Sequence, residues 1–323
     1  KLCMQKILKG TIPMSYKISF VTTCKGRLHH LQKTLPRSIS QTAGIDREFI
    51  ILNYNSGTDL NEWIKDKFSE ELDEGIIKLY WTHWKKYFHH SHAKNMAVRK
   101  AEGDIVVNLD ADNYATEGFG EWLLEQFQRD PDIVCGYNSF RIAGASGRIA
   151  ILREHFNKLR GYDEKFRGWG FEDIQFRDRA VEMGLELIDI PMKFIDVIKH
   201  TNKERFENSF PDVIDPKVEK EEGAEAVEYY GMTEREFLQK YQGDKYFEKP
   251  SYDYWENRGH WLGDAEAVKY FESAEWKEHI PFWDLHYVDH EVFKKYHLYR
   301  NHKITTSQPT NPKGWGQGKL KRV

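Results

Sequence analysis

Up to about position 200, apolar residues come in short unbroken runs, each followed by a longer stretch in which they recur at helical spacing. KISFVT at 17 to 22, REFIILNYN at 47 to 55, IIKLYWT at 76 to 82 and DIVVNLD at 104 to 110 read as buried strands. Between them, RLHHLQKTLPRSIS, TDLNEWIKDKFSEEL and HSHAKNMAVRKAEGD read as helices; Thr58 or Asp59 caps the second and Gly103 ends the third. A helix at EGFGEWLLEQFQRD and a strand at DIVCGYN continue the alternation. Strand, helix, strand in repetition predicts an α/β fold with a mostly parallel sheet. In such sheets ligands gather at the carboxyl ends of the strands. TTCKGR, NYNSG and DADN all fall there.

Beyond position 200 the pattern changes. Residues 201 to 249 are acidic and helix-prone, and 250 to 300 are dense in Trp, Tyr and His. The predicted organisation is therefore a catalytic-type domain over 1–202, with halves at about 15–113 and 114–202, and a mainly helical, aromatic-rich extension over 203–323. The stretch from Asn301 to Val323 carries only basic charges and reads as a solvated terminus.

Composition narrows the class. A chain of 323 residues, 40% hydrophobic and 31% charged, has the make-up of a soluble globular protein. No apolar run approaches the ~20 residues that cross a bilayer, so the expected location is the cytoplasm, alone or as a domain of a larger enzyme. The net charge of −3 argues against a dedicated nucleic-acid binder. Cys3, Cys24 and Cys135 match no zinc spacing and predict free thiols.

Two stretches carry candidate chemistry. GDIVVNLDADN drives a strand into Asp110 and Asp112; strand alternation would put both carboxylates on one face, where they call for a hard divalent cation. GYDEKFRGWGFEDIQFRDRAVEMG sets an aromatic platform, Gly168-Trp169-Gly170, before a helix that opens with Glu172 and Asp173. The plain reading of those acids is helix-start charges that suit the dipole. Beside a sugar-stacking tryptophan, however, one of them could accept a hydroxyl proton.

These segments, in this order, resemble the GT-A class of nucleotide-sugar glycosyltransferases, especially inverting family-2-like enzymes and the β-1,4-galactosyltransferases. The resemblance covers about residues 15 to 202 and rests on FVTTCKGRLHHL, ILNYNSGTD, HAKNMAVRKAEGDIVVNLDADN, GWGFEDIQFRDRA and VIKHTNKE. It implies a mixed, mostly parallel Rossmann-like sheet flanked by helices. By the same resemblance Thr23, Arg27, Asn53, Lys94 and Asp110 bind the donor, and Asp112 and His200, with Asp110, hold Mn2+ or Mg2+. Trp169 and Gly170 meet the acceptor, Asp173 is the catalytic base and Glu172 supports it. Two positions depart from the family: Asn53 replaces a uracil-reading aspartate, and Val197 stands where galactosyltransferases carry a methionine ligand. The implied partners are a nucleotide-sugar donor, most simply a UDP-sugar, and a glycan or other hydroxyl-bearing acceptor, as in polysaccharide biosynthesis. Two other readings stay open: a catalytically silent carbohydrate-binding protein on this scaffold, and a nucleic-acid base-modifying glycosyltransferase.

Overall fold

The computed structural model describes residues 16–83, 85–137, 145–164, 166, 172–199, 208, 311 and 313–323. Three sequence expectations, Trp169, Gly170 and His200, lie outside the described residues, as does most of the extension over 203–323.

Four parallel strands make the centre: β1 (Ile18–Cys24), β2 (Arg47–Tyr54), β3 (Ile77–Thr82) and β4 (Ile105–Asn108). Further on the chain adds β5 (Ile133–Gly136), β6 (Ile149–Leu152), β7 (Glu186–Asp189) and the two-residue β8 (Lys321–Arg322). The sheet order is β7-β5-β6-β4-β1-β2-β3-β8. β6 runs antiparallel to both β4 and β5, and β8 antiparallel to β3, so the sheet is mixed. β1 and β2 are buried almost without interruption because both faces are covered.

Their alternate residues divide the core in two. Phe20, Phe49, Ile51 and Val107 face one layer, with α1 (Leu28–Gln41), α2 (Asp59–Lys67) and α5 (Phe119–Arg129). Leu31, Leu35 and Ile39, one turn apart, are the buried stripe of α1. Val21, Ile50, Leu52 and Val106 face the other layer, with α4 (His90–Val98), α6 (Arg153–Lys158) and α7 (Glu172–Glu182). A short α3 (Ser69–Asp73) follows α2, the break falling at Phe68 within the helix expected to be continuous.

Two expectations need correction. The fourth strand stops at Asn108, and Asp110 to Asn113 form a turn closed by Asn113 N donating to Asp110 O at 2.9 Å. Strand alternation therefore does not orient the two aspartates. The described end of the chain is solvated only in part: Gln317 to Lys319, Lys321 and Arg322 are exposed, but other residues pack on the fold. Asn311 and Trp315 are buried, Trp315 packing on Phe156 and under the Arg99 guanidinium, and Lys321 and Arg322 pair with Trp81 and Tyr80. These residues form turn and strand rather than helix.

A candidate active site at the carboxyl edge of the sheet

The loops after β1, β2 and β4 are stitched to one another. Ser56 Oγ donates to Cys24 O (2.8 Å) and accepts from Gly26 N (3.0 Å). Thr22 Oγ1 donates to Leu109 O (2.7 Å), and Thr34 Oγ1, from α1, to Ala111 O (2.8 Å). On its far side the aspartate turn meets the chain after β7: Ile198 N donates to Asp112 O (2.7 Å), Tyr114 N to Asp196 O (3.0 Å), and Asn113 forms a bridge with Val197. The segment leading to position 200 thus runs beside the aspartate turn.

Asp110 and Asp173, far apart in sequence, come together over Gly147. A Cβ added to Gly147 would collide with Asp110 Oδ2 and lie 3.3 Å from Asp173 Oδ2. A side chain at this position would have to displace the Asp110 carboxylate, and the Gly147 carbonyl accepts from Asn108 Nδ2 (2.7 Å), which also donates to Asp110 Oδ1 (3.0 Å). Burial pushes both carboxyls up to about 6; Asp173 and Asp112 add repulsion at Asp110, Glu172 adds it at Asp173, and Lys94 opposes both shifts.

Lys94 is the cation at the centre. It projects from α4, whose residues from Ser91 to Val98 are all buried, and its ammonium lies 2.6 Å from Asp173 Oδ1 and 3.0 Å from Glu172 Oε1. The ring of Tyr162 lies 5.0 Å from Lys94 Nζ. Its side chain is 3% exposed, so the pair sits in a low-dielectric place where neighbouring carboxylates hold the ammonium well above its usual range despite burial. Glu172 Oε2 is buried with no hydrogen-bond partner among the described residues, an acceptor left over for a ligand's donor.

The other expected residues fall at the same edge in different states. Thr23 is buried at the end of β1, and Arg27 is the half-exposed residue before α1. Asn53 is fully buried and spends its amide on its own turn: Nδ2 donates to Gly57 O (2.8 Å) and Asn61 Oδ1 (2.9 Å), and Oδ1 accepts from Ser56 N (2.7 Å). Lys94, expected beside the donor, is brought to the Glu172–Asp173 pair.

Three residues escaped the sequence reading. Lys25, 6% exposed, donates to Asn55 O (3.0 Å) and Lys85 O (3.3 Å), and burial lowers its pKa. Its place inside TTCKGR was the available signal. Gly147 and Arg148 precede a four-residue strand that was itself unrecognised, and nothing local distinguishes them.

Whether these residues suit a divalent cation can be judged from their chemistry. Among the described residues no group of three or more His, Cys, Asp or Glu side chains converges as a cation cage. Asp110 and Asp112 instead offer two oxygen donors in a turn already crowded with negative charge. That is a fitting partial set for an ion that takes its remaining ligands from water and phosphate.

Stitched loops, paired acids and buried lysines gathered at the carboxyl edge of an α/β sheet make this the candidate active site. The glycosyl transferase family 2 model matches residues 19–183, and the chain belongs to that family. The chain is similar to the hyaluronan synthase of Pasteurella multocida, 32% identical over 84 residues, which is 26% of this chain and 7% of that protein. It is also similar to the chondroitin synthase of Pasteurella multocida (strain Pm70), 33% identical over 64 residues, 20% of this chain and 6% of that one. The matched segments thus span less than a tenth of these relatives. Similar solved structures include Staphylococcus aureus TarS 1–349 in complex with UDP-GlcNAc, with TM-score 0.49 and 12% identity over 79% of this chain and 73% of that one. Another is the mannosyltransferase PcManGT from Pyrobaculum calidifontis with GDP-Man and Mn2+, with TM-score 0.48 and 13% identity over 93% and 88%. The protein is a glycosyltransferase by family.

Proposed function

We propose that this glycosyltransferase is inverting and metal-dependent, moving a sugar from a nucleoside diphosphate donor, a UDP-sugar, to an acceptor hydroxyl. The observation that carries the reading is the meeting of Asp110 and Asp173 over Gly147, with Lys94 paired to Asp173. A carboxylate for the acceptor and a carboxylate turn for the donor then share one site.

In this reading Asp173 takes the acceptor's hydroxyl proton. Its pKa, pushed up to about 6, leaves it ionised at neutral pH and more basic than a free aspartate. Glu172 Oε2 accepts from an acceptor hydroxyl, and Trp169 and Gly170 line the acceptor's approach. Thr23 and Arg27 border the nucleotide, Asn53 acts from beneath by holding the Ser56–Gly57 turn in place, and Lys25 adds a buried positive charge on the diphosphate side. Asp110, Asp112 and His200 would hold Mn2+ or Mg2+, which neutralises charge developing on the leaving diphosphate. With the base on one side of the anomeric carbon and the diphosphate on the other, displacement is direct and the configuration inverts.

The test is release of nucleoside diphosphate from a panel of nucleotide sugars with Mn2+, using the full chain, Asp112→Ala and Asp173→Asn. The expected result is turnover of one UDP-sugar, lost in Asp112→Ala. In Asp173→Asn transfer should fall by roughly 10²–10⁴ while donor binding persists. Failure of the unaltered protein to bind any nucleotide sugar would sink the reading and favour the silent carbohydrate-binding scaffold.

A further inference from the structure

Arg148 lies just before β6, with its side chain inside the protein, 1% exposed. Its guanidinium reaches two segments that lie on either side of it in the chain, the aspartate turn at Asn113 and the stretch Phe194–Asp196. Nη2 donates to Asn113 Oδ1 at 3.0 Å and to Asp196 O at 3.2 Å, and Nη1 donates to Phe194 O. Asn113 in turn donates through Nδ2 to Asp112 Oδ1 at 2.8 Å. Occupation of Asn113 Oδ1 by Arg148 decides which way that amide faces, so its NH2 end points at Asp112.

The arginine therefore acts at two places at once. It fixes the rotamer of the Asp112 carboxylate through Asn113, and it pulls the Phe194–Asp196 backbone against the aspartate turn. A planar fork with five N–H donors can serve separate acceptors in this way; a lysine ammonium at the end of a flexible stem cannot. Arg148 is also costly, because burial draws its pKa down to about 10 against the opposing pull of Asp110, Asp112 and Asp196. Among the described residues its three hydrogen bonds go to neutral oxygens. A core of this kind would be filled at less cost by an apolar side chain.

We propose that Arg148 is a positioning residue for the divalent cation, holding Asp112 and the segment before position 200 in the arrangement that binds it. This rests on the proposed role of Asp112 as a ligand.

Mn2+ binding to the full chain, read from loss of the free-ion electron paramagnetic resonance signal, tests it without any turnover. Arg148→Lys and Arg148→Met are compared with Arg179→Lys, all well below their melting temperatures. Arg179 is an equally buried arginine whose bonds run to Gln175 Oε1, Leu159 O and Gly161 O. The expected result is a Kd for Mn2+ raised roughly 10- to 100-fold by either Arg148 change and unaltered in Arg179→Lys, although that variant also melts earlier. If Arg148→Met does not fold, Arg148→Lys keeps the charge and still reports. Unchanged affinity in the Arg148 variants overturns the proposal, as does an equal loss in Arg179→Lys, which would assign the effect to stability. No Mn2+ uptake by the unaltered protein removes the ligand reading itself, and this proposal with it.

Discussion

Lys94 is where charge, burial and catalysis meet at the scale of single residues. Its ammonium faces Asp173 and Glu172 at bonding distance and feels Asp110, so it offsets the mutual repulsion of the carboxylates. As the proposed base, Asp173 would have to be ionised to accept a proton, and its pKa near 6 would place the acid limb of kcat/KM at about that pH. In Lys94→Met the lowering influence disappears while burial and Glu172 remain, so the limb should move to higher pH. The same change leaves two buried carboxylates without their counter-ion, at a cost of roughly 3–5 kcal/mol. A pH–rate profile and urea denaturation check both; an unmoved limb would show that Lys94 does not act on the base. The acids of this site were legible in the sequence, because Asp-Ala-Asp after an apolar run and Glu-Asp after Gly-Trp-Gly stand out by type and spacing. Lys94 was singled out for another role, since a lysine in a helix gives no hint of which loop its ammonium will meet after folding.

At the scale of elements, helix α4 carries Lys94 and is enclosed on every side. One side rests on β1 and β2; another is covered by residues 315 to 317. Asn95 Nδ2 donates to Tyr162 O (2.8 Å) and Glu164 Oε1 (2.9 Å), Gly316 N donates to the same Oε1 (2.6 Å), and His92 Nε2 lies 3.0 Å from Gln317 O. Gly316, at φ +60°, passes so near that a Cβ would stand 2.9 Å from both Arg99 Cδ and Asn95 C. Trp315 fills the remaining gap beside Phe156. Trp315→Ala should lower stability by roughly 3–5 kcal/mol, measurable by urea denaturation; a loss under about 1 kcal/mol would mean the tryptophan merely covers the surface. The central strands and helices could be read from periodicity because each is an apolar run or a helical pattern bounded by clear punctuation. β6, β7 and the packing of 313–323 could not, because their conformation is drawn from partners distant in the chain: β6 pairs antiparallel between β4 and β5, β7 is only partly buried, and the glycine-containing 313–323 stretch packs on α4 and β3.

For the molecule as a whole, the sheet's mixed character follows from its second half. Reversal at β6 brings Gly147 under Asp110, so two motifs separated by sixty-odd positions close on each other. The parallel half was foreseeable from strand and helix alternation; the reversal was not, since direction in a sheet depends on pairing rather than on local pattern. At the opposite margin, β8 occupies the outer side of β3 with only two residues, Val323 N adding a bond to Leu79 O at 3.0 Å. Without them β3 would present unpaired backbone groups beside Tyr80 and Trp81, a surface on which another chain's strand can settle. Deleting 318–323 should leave the fold standing but produce concentration-dependent association in light scattering, whereas a persistent monomer would show that β3 needs no cover. Six residues at one margin would then govern solubility, and a strand of two residues would decide whether neighbouring molecules stay apart.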